Sequence, residues 1–183
     1  MKRVLFIFPL IAALGIGLFS VWGLTGDRNP SDIPSALLGK PIPNFKIETI
    51  MTEGISELSN NYLANLEKIT VVNFFASWCL PCKAEHSSLK KLKSSYDIHL
   101  AGISYKDKRN DTSNWLSELG NPYHVVGLDI SGRTGIEWGI SGVPETFLIN
   151  KKGEIIYKFA GPLLGENLVH FENLLMLELN KEK

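Results

Sequence analysis

The chain of 183 residues has two cysteines, Cys79 and Cys82, separated by Leu80 and Pro81. They lie where an apolar run, Ile69 to Phe75, gives way to a helical pattern that begins at Cys79. At a helix start, positions i and i+3 share one face with Cβ atoms roughly 5–6 Å apart, so a small adjustment opens or closes a disulfide. That spacing points to thiol–disulfide exchange. The helix N-terminus offers unpaired N–H groups and about half a positive charge to Cys79, favouring thiolate over thiol and making Cys79 the expected nucleophile. Cys82, one turn in and shielded by the helix, is the expected resolving thiol. Pro81 fits a first turn, where its missing N–H costs little.

Other chemistries fit these residues less well. A structural disulfide over two intervening residues closes a loop too short to remove much chain entropy. A structural zinc site takes about four ligands, yet beyond the pair there are only the four histidines, of which His86 shares the helix. The reading therefore includes no metal and no cofactor, because sulfur carries the electrons.

Periodicity identifies the elements that must hold the pair. Ile69 to Phe75 is β-branched, aromatic and almost continuously apolar, the pattern of a buried central strand. The helix from Cys79 to about Tyr96 puts Leu89, Leu92 and Tyr96 at helical spacing, with Lys90, Lys91 and Lys93 as a solvated face. Ile98 to Ser104 supplies a strand parallel to the first. Phe45 to Thr49 alternates as a strand, and Leu58 to Leu66 reads as weakly helical. Asp111 is expected to cap a short helix through Trp115 and Leu119 that ends at Gly120. Asp129 to Arg133 forms a turn, and a brief helix is expected to carry Ile136 and Trp138 into the core. Glu145 to Asn150 and Glu154 to Phe159 flank Lys-Lys-Gly as a hairpin, and Asn167 to Asn180 closes the chain as an amphipathic helix.

Composition is that of an ordinary globular protein, with 44% hydrophobic and 21% charged residues. The formal charge is zero, and without Lys2 and Arg3 the remainder holds 17 basic and 19 acidic residues, so nothing suggests a nucleic acid partner. Val4 to Leu24 carries no charge over 21 residues. As a helix rising ~1.5 Å per residue it would span about 30 Å, the thickness of a bilayer core. It runs on through Phe19, Val21 and Trp22 without a small-x-small cleavage site, so an uncleaved anchor is expected. Lys2 and Arg3 would hold its N-terminus in the cytoplasm. The expected organisation is an anchor over 1–24, a tether over 25–38 punctuated by Gly26, Pro30 and Pro34, and a folded domain over 39–180. Outside the cytosol, where disulfides form and persist, such a domain would handle the disulfides of other proteins.

The order strand, Cys-x-x-Cys helix, strand, helix, Val-Pro before a strand, hairpin and final helix resembles the thioredoxin fold, an α/β architecture with a central mixed sheet flanked by helices. Four stretches resemble the membrane-anchored CcmG/DsbE proteins of cytochrome c biogenesis: Ala76 to His86, Gly102 to Asp107, Trp115 to Tyr123 and Gly142 to Leu148. The resemblance spans about Gly39 to Leu164, and the anchor matches too. It implies a single-pass protein of the bacterial inner membrane with its thioredoxin-like domain in the periplasm, acting as a thiol:disulfide reductase. The implied client is apocytochrome c, or the CcmH-type haem-lyase component that holds it, whose cysteines must be free before haem attaches. The implied donor is a membrane thiol reductant of the DsbD or CcdA type.

The same resemblance implies that Pro144 is a cis-proline packed against the cysteines and that the Val143 backbone pairs with an incoming peptide strand. It also implies that Glu85 and Glu145 lie near the pair. Asn73 stands where many thioredoxins carry a buried Asp that exchanges protons with the resolving thiol. Asn cannot titrate, so Glu85, together with Glu145, is expected to take over proton exchange or to raise the cysteine pKa values. Trp78 is expected to shield the disulfide and offer a contact surface.

Alternatives follow from the same residues. Related Cys-x-x-Cys proteins span about −270 to −120 mV, so a general envelope oxidoreductase or an oxidase uses the same pair. A copper metallochaperone on this fold is the rival from a different class. Such proteins space their cysteines by three residues and add a distal His, whereas His124 and His170 lie in no matching motif. Neither cysteine lies in a threonine-containing peroxidatic motif.

Overall fold

Every residue of β3 (Thr70–Phe75) is buried, as a near-continuous apolar run requires of a strand covered on both faces. The computed structural model to which it belongs describes residues 2–24 and 36–181, without the side chains of 2–6 and 24. β3 pairs in parallel with β4 (His99–Tyr105) and antiparallel with β6 (Glu145–Ile149). Beyond β4 lie the parallel β5 (Val125–Asp129) and the antiparallel β1 (Lys46–Ile50) and β2 (Glu57–Ser59). Beyond β6 lies the antiparallel β7 (Ile155–Ala160). The order β2-β1-β5-β4-β3-β6-β7 is a mixed sheet of the thioredoxin type.

Alternation along β3 divides the core in two. Val71 and Phe75 join Leu89 and Leu92 of α3 (Leu80–Ser95), Leu116 of α4 (Arg109–Leu119), and Phe171 and Leu175 of α6 (Gly165–Lys181). Val72 and Phe74 join Leu63 of α2 (Asn60–Ala64) and Trp138, which follows α5 (Arg133–Glu137). Asn73 shares the first face and is the one amide in the buried strand.

Three local expectations are corrected, and one strand adds to them. β5 was not foreseen, because Val-Val-Gly-Leu-Asp is short and broken by Gly127. That glycine makes room for β1 and β2, since a Cβ there would lie 2.5 Å from Ile47 Cδ1. Leu58 lies in β2 rather than in a helix, and Ser59 starts α2 by accepting the Tyr62 N–H at 3.2 Å. α4 begins at Arg109, ahead of Asp111, which lies in its first turn where its charge suits the helix dipole. Ile136 is 72% exposed while Trp138 is fully buried, because positions i and i+2 do not share a helix face.

α1 (Lys2–Leu24) is a 23-residue helix containing Pro9, and its described side chains, from Ile7 to Gly23, are exposed. Among the described residues no helix is long and apolar enough to cross a membrane. The chain divides into the units Met1–Pro30 and Ser31–Lys183. Most of the expected tether, residues 25–35, lies outside the described residues, as does Lys183. Leu37, near the end of the tether, packs on the core, and Gly39, the first residue of the expected domain, donates to the Ile155 carbonyl at 2.8 Å.

Candidate active site

The chain leaves β3 through Ala76, Ser77 and Trp78 and enters α3 with Cys79 as the N-cap, its backbone extended at φ −89° and ψ 109°. Cys79 Sγ accepts the Cys82 N–H at 3.1 Å, so the sulfur takes the place of the usual capping oxygen. Cys79 and Cys82 form a disulfide with Cα atoms 5.3 Å apart, and both are buried. Pro81 occupies the first turn of α3. Around the buried sulfurs the surface is apolar and open, with Trp78 61% and Leu80 78% exposed. The Trp78 indole N–H donates to the Lys106 carbonyl at 3.3 Å.

Asp107, just past β4, fastens the turn before the cysteines. Its carboxylate accepts the Ser77 N–H at 2.6 Å and the Ser77 hydroxyl at 3.0 Å, and also the Lys108 N–H at 2.8 Å. On the other side the Val143–Pro144 peptide is cis, as the family resemblance implies. The Val143 carbonyl oxygen lies 3.6 Å from Cys79 Sγ.

Glu85 lies one turn beyond Cys82 on α3 and is fully buried. Its Oε2 accepts the Leu163 N–H at 2.7 Å, and its Oε1 accepts an Asn73 amide N–H at 2.9 Å. Asn73 donates its second amide hydrogen to Thr146 Oγ1 at 3.0 Å and accepts the Tyr123 hydroxyl at 2.7 Å. Register explains the meeting, because Asn73 stands opposite Gly102 on β4 and Thr146 on β6. Gly102 is required there, since a Cβ would lie 2.8 Å from the Tyr123 ring that crosses it. Burial pushes Glu85 up to about 7, and the two N–H donors offset only part of that shift. Burial, reinforced by the Glu85 carboxylate, also holds the Tyr123 hydroxyl well above its ordinary value, so it acts as a donor.

Glu145 sits differently. Its Oε1 accepts the N–H of Ser141 at 2.7 Å and of Gly142 at 3.3 Å, together with the Ser141 hydroxyl. Its Oε2 faces Lys158 Nζ at 3.0 Å. The shared role expected of Glu85 and Glu145 therefore meets two different environments, one with no ion pair among the described residues and one paired with Lys158. His86 donates through Nε2 to the Gly120 carbonyl at 2.7 Å and packs edge-on against Trp115. His124 accepts the Leu100 N–H and stacks on His99, while His170 meets the Tyr157 ring. No group of three metal-ligating side chains occurs among the described residues.

Sequence reading passed over Asp107, Tyr123, Thr146 and Lys158. Asp107, Tyr123 and Thr146 fall within the stretches that resemble the family, which was the available signal. Lys158 had none, since a Lys in a hairpin strand reads as a solvated residue.

A disulfide capping a helix on this sheet, beside a cis-proline, defines a thioredoxin-fold thiol:disulfide oxidoreductase. The Redoxin family model matches residues 37–175. The chain is 40% identical over 167 residues to the thiol:disulfide interchange protein DsbE of Escherichia coli, covering 89% of this chain and 88% of that one. It is 36% identical over 166 residues to the thiol:disulfide interchange protein HelX of Rhodobacter capsulatus, covering 89% and 90%. The chain belongs to the Redoxin family and, within it, to the CcmG/DsbE thiol:disulfide interchange proteins. The fold is shared with the thioredoxin domain of a thiol-disulfide oxidoreductase from Bacteroides vulgatus, at a TM-score of 0.62 and 21% identity over 77% of this chain and 99% of that one.

Proposed function

We propose that this protein is an extracytoplasmic thiol:disulfide reductase, tethered to the bacterial inner membrane by its N-terminal helix, that keeps the cysteines of a haem-accepting polypeptide reduced. The client is apocytochrome c or a CcmH-type haem-lyase component, and the donor is a DsbD/CcdA-type membrane thiol reductant. The 40% identity to DsbE supports this reading, and so does the charge-free segment from Val4 to Leu24.

In the reduced protein the Cys79 thiolate attacks one sulfur of the client disulfide. A Cys79–client S–S bond forms, and the other client sulfur leaves as a thiolate and takes a proton. Cys82 then loses its proton and attacks Cys79 Sγ. The Cys79–Cys82 bond forms as the second client thiolate departs, so two electrons pass to the client. Glu85 is the proton acceptor of choice for Cys82, being buried one turn away and titrating close to neutrality. The Val143 backbone pairs with the client strand, and Trp78 and Leu80 give it an apolar landing surface.

The observation that carries the reductant direction is Glu85, a buried carboxyl without a counter-cation beside Cys82. Once ionised it disfavours a second negative charge on sulfur and opposes the helix dipole at Cys79. Equilibration of the protein against a dithiothreitol and glutathione series tests it. A potential near about −270 mV supports the reductase, and one near about −120 mV makes it an oxidant and overturns the reading.

A further inference from the structure

We propose that Lys158 is a positioning residue for client binding, holding through Glu145 and Gly139 the segment that presents Val143 to the client strand. This rests on the reading above that the client is a polypeptide that pairs at Val143. The segment has little to fix it from within. Gly139 has φ +61°, and a Cβ at Gly139 or Gly142 would meet nothing within 4 Å. Gly139 and Ile140 donate their N–H groups to the Ile136 and Gly135 carbonyls of α5, each at 3.0 Å, and the side-chain bonds to the segment come from the neighbouring strands.

Lys158 on β7 stands opposite Phe147 on β6, which makes it the diagonal neighbour of Glu145, two residues back. Its ammonium donates to the Gly139 carbonyl at 2.7 Å, faces Glu145 Oε2 at 3.0 Å and lies 5.7 Å from the centre of the Phe147 ring. Among the described residues this ammonium is the counter-charge that Glu145 Oε2 meets. Glu145 Oε1 then receives Ser141 and Gly142. One cation thus fixes Gly139 directly and Ser141 and Gly142 through the carboxylate. The Lys158 and Glu145 side chains are only 4% and 2% exposed, so both charges are desolvated. An apolar pair of similar volume would hold the sheet as well or better. The ionic pair adds directional side-chain bonds to the segment that an apolar pair lacks.

The segment is also a wall. A cavity of about 200 Å³ opens beside it, lined by Ser141, Gly142, Val143, Pro144 and Gly161. Ala160, the last residue of β7, and Gly161 line its other side, and the Gly161 N–H donates to the Pro144 carbonyl at 2.9 Å. A client side chain next to the paired strand would enter here, and a loosened segment would bind it less well without altering the sulfur chemistry.

The experiment compares the full chain in detergent with Lys158→Met and with the double variant Glu145→Gln/Lys158→Met, which leaves no uncompensated charge and guards against failure to fold. The probe is a short oxidised Cys-x-x-Cys-His peptide, with dithiothreitol exchange measured in parallel. The expected result is a rise of about tenfold in the peptide KM in both variants with kcat changed far less, the pattern of lost uniform binding. The peptide kcat/KM should fall by the same factor relative to the dithiothreitol rate. An unchanged ratio in the folded double variant overturns the positioning role. A wild-type protein that reduces dithiothreitol-type disulfides but not the peptide overturns the polypeptide-client reading, and the positioning role with it.

Discussion

Glu85 and Glu145 are two buried carboxyls of one domain, and their partners separate them. Glu85 receives two N–H bonds, from Leu163 and Asn73, and burial pushes it up to about 7. Glu145 also receives N–H bonds, from Ser141 and Gly142, but adds the Lys158 ammonium. At Glu85 the hydrogen bonds offset only part of the burial that raises the carboxyl. A cation turns the same side chain into a fastening for backbone. The residue type is the same at both positions, and the charge beside it differs.

The largest break in this comparison is expected from Lys158→Met, which leaves Glu145 as an uncompensated buried charge. The loss of stability should be ~3–5 kcal/mol, read from urea denaturation. The double variant Glu145→Gln/Lys158→Met should recover much of it, as coupled neighbours do not add. A loss in the double variant equal to that of the single one would place the cost in packing rather than in charge.

Next is the pH dependence that Glu85 imposes. Its folded pKa, about 7, lies above the ordinary carboxyl value of 4.5, so between these values the folded state binds more protons than the unfolded one. Stability from this group is complete below pH 4.5 and is lost as pH rises through 7. The total should be on the order of 3 kcal/mol, and Glu85→Gln should remove that slope. His99 contributes the opposite sign, since burial lowers it to about 4 and the folded state loses stability as pH falls from 6.5. Comparing wild type with Glu85→Gln at each pH cancels the histidine, and parallel curves would show that Glu85 does not titrate in this window.

A smaller effect is expected at sulfur. In reduced Glu85→Gln the thiolate absorbance of Cys79 and Cys82 should appear about one pH unit lower, ~1.4 kcal/mol of removed repulsion. An unchanged titration sinks the proposed coupling between Glu85 and the cysteines. The smallest effect is expected from Tyr123→Phe, which deletes the hydroxyl bond to Asn73. It should cost about 1 kcal/mol in denaturation, and its thiolate titration should move less than that of Glu85→Gln.

Much of the site could be read from the chain because it is local. The Cys79 to Cys82 spacing, the apolar strand before it and the helix after it are contiguous, and short-range geometry places both sulfurs on one turn. The Val-Pro motif and the hairpin were similarly legible, as Lys-Lys-Gly and the alternating flanks mark a turn between strands. β5 has no alternation to read because it is buried on both faces, and Gly127 interrupts its short apolar run. Tyr123 and Lys158 were lost because an exposed and a buried polar residue look alike in sequence.

The sequence by itself determined the chemistry: two thiols at a helix start, a carboxyl one turn beyond Cys82, and an amide where an ionisable residue could have stood. It could do so because a helix repeats within four residues and carries its own geometry. Only the tertiary structure decided what each carboxyl meets. Asn73 meets Tyr123 and Thr146 through strand register, and Glu145 meets Lys158 across a hairpin. Those meetings set desolvation and counter-charge, and a pKa or a fastening depends on both. They join residues that no local pattern connects.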